Sequence, residues 1–153
     1  MANFTTTGSD TFPAGMVRQV KSVDIGVIAS GSSDVYFPTS GTFDNAILSS
    51  SDVFLTATGT CATRVAANDC NITLLFSSAN GGSLGAGASG HIFNYALMSY
   101  TAHIHMRVGW AGNMMVTNPN STTPTYQVFV NRVSGQNVEL EAQSIMTMME
   151  IIR

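Results

Sequence analysis

Charged residues are scarce in this chain. They make up 10% of its 153 residues, against about 25% in ordinary soluble domains. The net charge is −3, and the few basic residues occur singly between Arg18 and Arg153. This spacing argues against a surface that follows nucleic-acid phosphates and against a polybasic membrane patch. We therefore expect neither nucleic acid nor a membrane among the partners.

Long apolar runs are also missing. No window approaches the roughly 20 apolar residues of a membrane-spanning helix, and no heptad segment predicts a coiled-coil shaft. The opening MANFTTTGSDTF has neither the basic start nor the apolar centre of a signal peptide. We expect a chain without a membrane span, a fibre shaft or a signal for export.

Cysteine is limited to Cys61 and Cys70. Their spacing is not C-x-x-C, which argues against redox catalysis. Two alternatives stay open for the pair. A disulfide that closes a hairpin loop needs Cα atoms within about 7 Å, whereas two free thiols suit a protein that folds in a reducing cytoplasm.

Groups that carry catalysis are poorly represented. No Asp or Glu lies between Asp69 and Glu139, so paired carboxylates and a carboxylate-held histidine are not expected. A G-x-S-x-G elbow is absent. The match Gly85-x-Gly87-x-x-Gly90 precedes a β-like segment instead of the helix that a dinucleotide site needs. We predict that the protein is not an enzyme and holds no cofactor.

Apolar residues, in contrast, are plentiful at 44%. Tyr126, Val128 and Val130 alternate with Gln127, Phe129 and Asn131, and Ser144 to Ile152 forms a Met- and Ile-rich end. Alternation with a period of two predicts strands. An apolar strand of this kind pairs inside a sheet, because a loose strand would expose its backbone groups.

Short strands separated by Gly, Ser and Asn turns recur along the chain, and no long helical period is present. This pattern predicts an all-β fold, an antiparallel β-sandwich of jelly-roll type. Residues 71–76 are predicted as a central strand and residues 35–37 as an edge strand. Residues 102–109 and 114–116 are predicted as separate strands, with a loop at 109–113.

Both ends of the chain carry a family resemblance. The opening Pro13-Ala14-Gly15-Met16-Val17-Arg18-Gln19-Val20 and the ending TY-x-V, Gly turn and S-I-x-x-M-E-I resemble small β-domains of bacteriophage virion proteins. Those domains occur as heads of tail fibres and as stand-alone structural proteins. The resemblance implies a virion setting, with assembly in the host cytoplasm, and a homotrimer.

On this basis we divide the chain into an N-terminal arm, residues 1–14, and a jelly-roll domain, residues 15–153. The expected function is a capsid decoration or cement protein whose trimers stabilise the shell. Its partners are other copies of itself and the major capsid protein, or else fibre and tail proteins. The arm would contact the capsid through Phe4, Phe12 and Pro13, and would gain affinity by ordering on its partner.

Candidate interface residues follow from strand periodicity. His103 and His105 share one strand face, and with His91 they form either a metal site or half-buried interface residues. An H-x-H pair alone lacks a third ligand at diagnostic spacing, so we expect no metal. Met146 and Met148 share a face, and Met149 lies on the other. We assign His103, His105, Met146 and Met148 to the trimer interface.

The alternative function is a receptor-binding head at the end of a tail or capsid fibre. Tyr100, Trp110 and Asn113 would then contact a host surface glycan, with the aromatic rings as stacking platforms. Loops at 77–90 and 109–113 would carry these contacts. A secreted β-sandwich lectin outside viruses is a third hypothesis, weakened by the lack of a signal peptide.

Overall fold

A computed structural model describes the chain at residues 14–26, 29–31, 35–36, 39–63, 70–78, 84, 91–98, 106–134, 138–140 and 144–153. Regular structure in these ranges consists of eleven β-strands, without a helix. The all-β prediction is therefore confirmed. No helix in the described ranges is long and apolar enough to cross a membrane.

The strands fall into two antiparallel sheets. In chain order they are β1 (Val17–Asp24), β2 (Ala29–Gly31), β3 (Val35–Tyr36), β4 (Gly41–Thr42), β5 (Ser51–Thr63), β6 (Cys70–Ser78), β7 (His91–Met98), β8 (Met106–Val116), β9 (Thr125–Ser134), β10 (Val138–Leu140) and β11 (Ile145–Ile152). The first sheet has the order β1-β11-β5-β10-β2, with β8 also paired to β5. The second has the order β3-β9-β6-β7, with β4 also paired to β9.

The long strand β5 organises the first sheet. All but its first two residues pair with β8 on one edge, from Val53↔Val116 to Thr63↔Met106. On its other edge β11 and β10 follow one another. Asp24 and Ala29 are as far apart in sequence as their partners Ile145 and Leu140. β1 and β2 are therefore two parts of one interrupted strand, and the sheet is four strands wide.

The second sheet has the same width. β3 and β4 follow one another along one edge of β9, and β6 pairs with the other edge. β7 then pairs with the free edge of β6. The edge position of Val35–Tyr36 and the central position of the strand at residues 71–76 are both as predicted.

The core lies between the facing surfaces of the sheets. Gly41 of the second sheet sits against Met146 and Met148 of the first, and a Cβ on this glycine would meet their side chains at 2.8 Å. The buried cluster draws on both sheets and on the segments between strands: Ile25, Phe43, Ile47, Val53, Leu55, Ala57, Leu74, Phe76, Leu84, Trp110, Met114, Val116, Tyr126, Val128, Met146 and Met148. The molecule is a β-sandwich, as predicted.

The predicted terminal strand is also confirmed. β11 runs between β1 and β5, with partners on both edges over most of its length. Its burial alternates from residue to residue, and the side chains at even positions are buried. Its backbone groups are paired on both edges and one of its faces is buried. The apolar pattern of this segment predicts this placement, because a loose apolar strand would expose both its backbone and its side chains.

The prediction of two short strands and a loop between residues 102 and 116 is wrong. β8 is one continuous strand from Met106 to Val116, and Trp110 lies in its middle. The glycines around Trp110 do not form a turn there, because the antiparallel partner β5 continues beside them without a break. Gly59 lies directly opposite Trp110, and its missing side chain leaves room for the indole ring.

Candidate functional site

The outer face of the first sheet, which points away from the core, carries a row of apolar side chains. Val20 lies opposite Met149, Met149 opposite Phe54, and Phe54 opposite Met115. Directly opposed residues in antiparallel strands project to the same face. We call Val20, Met149, Phe54 and Met115 the apolar row.

The apolar row is accessible to solvent. Val20 is 56% exposed and Met115 is 45% exposed, and the two residues between them are half-buried. The row crosses all four strands of the sheet, from the edge strand β1 to the edge strand β8. Val17, 44% exposed, and its partner Ile151 extend the apolar surface on one side.

A polar row borders the apolar row on the other side. Ser22, Thr147, Thr56 and Asn113 are cross-strand neighbours in the same order, and the Ser22 and Thr147 hydroxyl groups lie 2.9 Å apart. Neither row contains a charged side chain. An uncharged apolar strip with a polar rim has the composition of a protein–protein contact surface.

Among the described side chains of this face, the charged ones lie at its margins. Asp24 is the last residue of β1, and its carboxylate accepts a hydrogen bond from the Gly26 amide at 2.9 Å. Asp52, beside Ile151, pairs with Arg153 at 3.2 Å. A partner that covers the apolar row therefore does not have to desolvate an ion in its centre.

A buried carboxylate holds the edge of the sandwich together beneath this face. Glu150 is fully buried. Its oxygens accept bonds from Arg18 Nη1 at 2.8 and 3.1 Å and from Gln19 Nε2 at 2.6 Å. The Leu48 amide and the Ser51 hydroxyl donate at 2.8 Å each. The carboxylate thereby links β1, β11, β5 and the segment before β5.

Two residues assigned to a trimer interface lie elsewhere. Met146 and Met148 are both fully buried between the two sheets of a single chain. Their side chains fill the core, so the assignment of these two residues to a contact with another subunit does not agree with the structure. The prediction that Met149 lies on the opposite face of the strand from Met146 and Met148 is confirmed, since Met149 belongs to the apolar row on the outer face.

The candidate receptor contacts are only partly described. Trp110 is 4% exposed and belongs to the core, so its ring is not a platform for a ligand at the surface. Asn113 is exposed, within the polar row of the outer face. Tyr100 lies outside the described residues.

Several other predictions fall outside the described part of the chain. They concern the arm residues Phe4, Phe12 and Pro13, the interface residues His103 and His105, and the loop between Cys61 and Cys70. They stay predictions. Among the residues that the structure describes, no three His, Cys, Asp or Glu side chains come together as metal ligands would.

Sequence reasoning missed most of the apolar row and the Glu150 cluster. The opposition of Met149 and Phe54 depends on the register between β11 and β5, which a single sequence does not show. One sequence signal for the Glu150 cluster was available, namely the acidic residue Glu150 within the apolar strand IMTMMEII. An acidic residue on the buried side of an apolar strand predicts a partnered carboxylate.

Comparisons with known proteins find likeness in structure alone. No protein-family model matches the chain, and no curated protein matches it. The chain is similar to the structure of the infectious bursal disease virus Gx strain, with 10% identity, a TM-score of 0.41, and coverage of 95% of this chain and 42% of that one. The VP2 subviral particle of the same virus is similar at 6% identity and a TM-score of 0.44, with coverage of 99% of this chain and 41% of that one.

A third similar structure is the CBM22-1 xylan-binding domain from Paenibacillus barcinonensis Xyn10C, with 7% identity and a TM-score of 0.42. The match covers 94% of this chain and 99% of that domain. The chain thus spans about two fifths of the viral chains and nearly all of the bacterial domain. Likenesses this distant assign neither a function nor a partner.

Proposed function

We propose that the chain is a structural protein of a virion. In this proposal it forms a homotrimer that decorates the capsid and stabilises it through protein–protein contacts, without catalysis. The observation that carries the proposal is the apolar row. A monomer that works alone in water would expose this uncharged strip, whereas a subunit of an assembly covers it.

The low charge of the chain supports the same view. A free monomer of this size normally stays soluble through charged surface residues, but here only 10% of residues are charged. The apolar row and the polar row contain no charged side chain, so the centre of the outer face of the first sheet is without an ion. Such a face suits repeated contact between identical subunits, because like charges do not meet across the symmetry axis.

The strand order supports the jelly-roll part of the proposal. β1 pairs with β11, β3 and β4 with β9, β5 with β8, and β6 with β7. These pairs are nested in the sequence and alternate between the two sheets. A long antiparallel hairpin that rolls up on itself has this arrangement, and it is the architecture of many capsid proteins.

The virion setting has its own support in the sequence. The motifs at residues 13–20 and 125–151 resemble phage virion β-domains, and the last part of the second motif, in β11, pairs with the first motif in β1. Val17 lies opposite Ile151, and Gln19 lies opposite Glu150. The Gly15 amide also donates to the Ile152 carbonyl at 2.7 Å. The first motif and the end of the second therefore form one antiparallel pair, β1 with β11.

Placing a charge in the apolar row tests the proposed assembly. In Met115→Lys or Val20→Lys, we expect the trimer to dissociate to monomers. Burying a lysine in an apolar contact requires desolvating its charge, while the exposed position lets the folded monomer keep its stability to within about 0.5 kcal/mol. Sedimentation velocity measures the first effect and urea unfolding the second.

The control is Ser40→Lys, an exposed residue just before β4 in the second sheet. This variant adds the same charge away from the apolar row, and we expect it to remain trimeric. If all three variants sedimented like the unaltered protein, the apolar row would not be the contact surface.

Binding to particles tests the capsid role. We expect the purified protein to bind shells of its parent virus and to raise the temperature at which they open. Removing residues 1–12 should weaken that binding, because the proposed arm is tethered three times per trimer. Shell binding that is unchanged by the deletion would contradict the arm, and binding to host cells without binding to shells would favour the receptor-binding head.

A further inference from the structure

The two edges of the first sheet differ in how well they are protected. An edge strand presents unpaired backbone groups to which another strand can bind, and natural proteins block such edges with charges, irregular register or a covering segment. β1 lies at one edge of the first sheet. β8 lies at the other, since among the described strands it pairs only with β5. A comparison of β1 with β8 shows which edge is open to a partner.

The β1 edge has all three kinds of protection. Its register with β11 contains a shift near the start of the strand. Lys21 pairs with Asp44 at 2.6 Å, and Arg18 Nη1 donates to the Ala46 carbonyl at 3.0 Å. These contacts hold the segment 44–46 next to β1. Charge, an irregular register and a neighbouring segment therefore all oppose the pairing of β1 with a further strand.

The β8 edge has none of these protections from Gly109 to Val116, a stretch that we call the open edge. It contains no charged residue and no proline, and its register with β5 has no shift. Gly109 and Ala111 are exposed, and a Cβ on Gly109 would meet nothing within 4 Å. Every second residue of an edge strand directs its backbone N–H and C=O away from the sheet. The open edge is therefore a template for one more strand.

The outer-face side chains of the open edge divide into a small half and a large half. Gly109 and Ala111 are small, whereas Asn113 and Met115 are larger, and all four are exposed. A second copy of this strand can run antiparallel to it with Gly112 opposite Gly112. Met115 of each copy then lies opposite Gly109 of the other. Asn113 lies opposite Ala111 in the same way, so each large side chain meets a small one, and the open edge is complementary to itself.

We propose that the open edge pairs with the open edge of a second copy of this chain, antiparallel across a two-fold axis at Gly112. The first sheets of the two copies then join into one sheet of twice the width. The inference goes beyond the proposed trimer, whose contact lies on the face of the sheet and not at its edge. One pair of short strands is a small contact by the standard of stable complexes. It therefore forms where copies are already crowded together, and adds to their other contacts.

Cysteine cross-linking of the full chain tests the pairing and its register together. In the double variant Gly109→Cys with Met115→Cys, the two positions lie about 20 Å apart along one extended strand, too far for a disulfide within the chain. Opposed residues of paired strands lie close enough for one. Under mild oxidation of concentrated protein, we expect a product with twice the mass of one chain on a non-reducing gel. Each single variant is a control and should give only a trace of it.

Val20→Lys separates the edge contact from the proposed trimer. Val20 lies on β1, at the far end of the apolar row from β8, so its lysine opposes the contact on the face and leaves the open edge unchanged. We expect the cross-link to form in the double-cysteine variant with Val20→Lys as well. A protein that is trimeric but gives no cross-link would contradict the edge contact alone, and a cross-link in a protein that is never trimeric would contradict the proposed trimer alone.

Hydrogen exchange at residues 109–116 gives a second readout, without any substitution. Every second amide of this stretch points away from β5, and we expect these amides to exchange slowly in concentrated protein and rapidly after dilution. Slow exchange at every dilution would overturn the inference, because the edge would then be covered within one chain. Slow exchange only after shells of the parent virus are added would also overturn it, since a strand of another protein would then occupy the edge.

Discussion

Glu150→Ala is expected to lower the free energy of unfolding by about 3–5 kcal/mol, the usual result of breaking a buried charge pair. The substitution leaves Arg18, Gln19, the Leu48 amide and the Ser51 hydroxyl without their common acceptor. These donors are part-buried or buried, so water does not fully replace the carboxylate. Urea unfolding monitored by Trp110 fluorescence measures the loss.

Asp44→Asn is the matched control for this prediction. Asp44 also pairs with a basic residue, Lys21, at 2.6 Å, but its side chain is 73% exposed. An exposed pair of this kind contributes at most about 1 kcal/mol. If Glu150→Ala and Asp44→Asn had equal effects, the Glu150 cluster would not be the support that we describe for the edge of the sandwich.

Gly59→Ala is expected to destabilise the fold by about 2–3 kcal/mol, towards the upper end for an overpacked core. A Cβ at this position would overlap the Trp110 ring and the Ser144 hydroxyl, and would lie 2.7 Å from Ser144 Cβ. Trp110 and Ser144 are both buried, so neither side chain moves aside easily. Thermal and urea unfolding of the variant test this expectation.

Two other glycines provide controls for the same substitution. Gly41→Ala should have a smaller effect, because its new Cβ would meet the flexible ends of Met146 and Met148. Gly109→Ala, next to Trp110 on β8, meets nothing within 4 Å. It should be neutral or slightly stabilising, since glycine weakens a strand interior. A neutral Gly59→Ala would contradict the close packing of Trp110 on β5.

The regular parts of the fold could be predicted because burial on one face leaves a period of two in the sequence. β11 and β9 show this alternation, and both were placed within sheets. Residues 71–76 were predicted as a central strand from apolar residues on both faces, and β6 does lie between β9 and β7. These inferences depend on local pattern alone.

β8 could not be predicted as one strand for a physical reason. Gly109 and Gly112 flank Trp110, and in a single sequence glycines near a polar residue indicate a turn. The strand continues without a turn because it pairs with β5. β5 has small residues opposite these positions, Gly59 across from Trp110 and Ala57 across from Gly112. Long-range pairing therefore overrides the local preference.

The candidate surface was predictable only in part. Periodicity placed Met149 on the opposite face from Met146 and Met148, but it did not say which face was inside. The structure shows that the pair at 146 and 148 faces the second sheet, where Gly41 lets them approach closely. The apolar row then arises from register: Val20, Phe54 and Met115 are remote in sequence, and three strand pairings bring them into line beside Met149.

Sedimentation equilibrium of the unaltered protein is the most direct test of the central claim, that copies of this sandwich assemble through the apolar row. We expect a mass three times the 16.1 kDa of the chain, falling to the mass of one chain in Met115→Lys. A mass of one chain for the unaltered protein, at concentrations where folded subunits would associate, would contradict it.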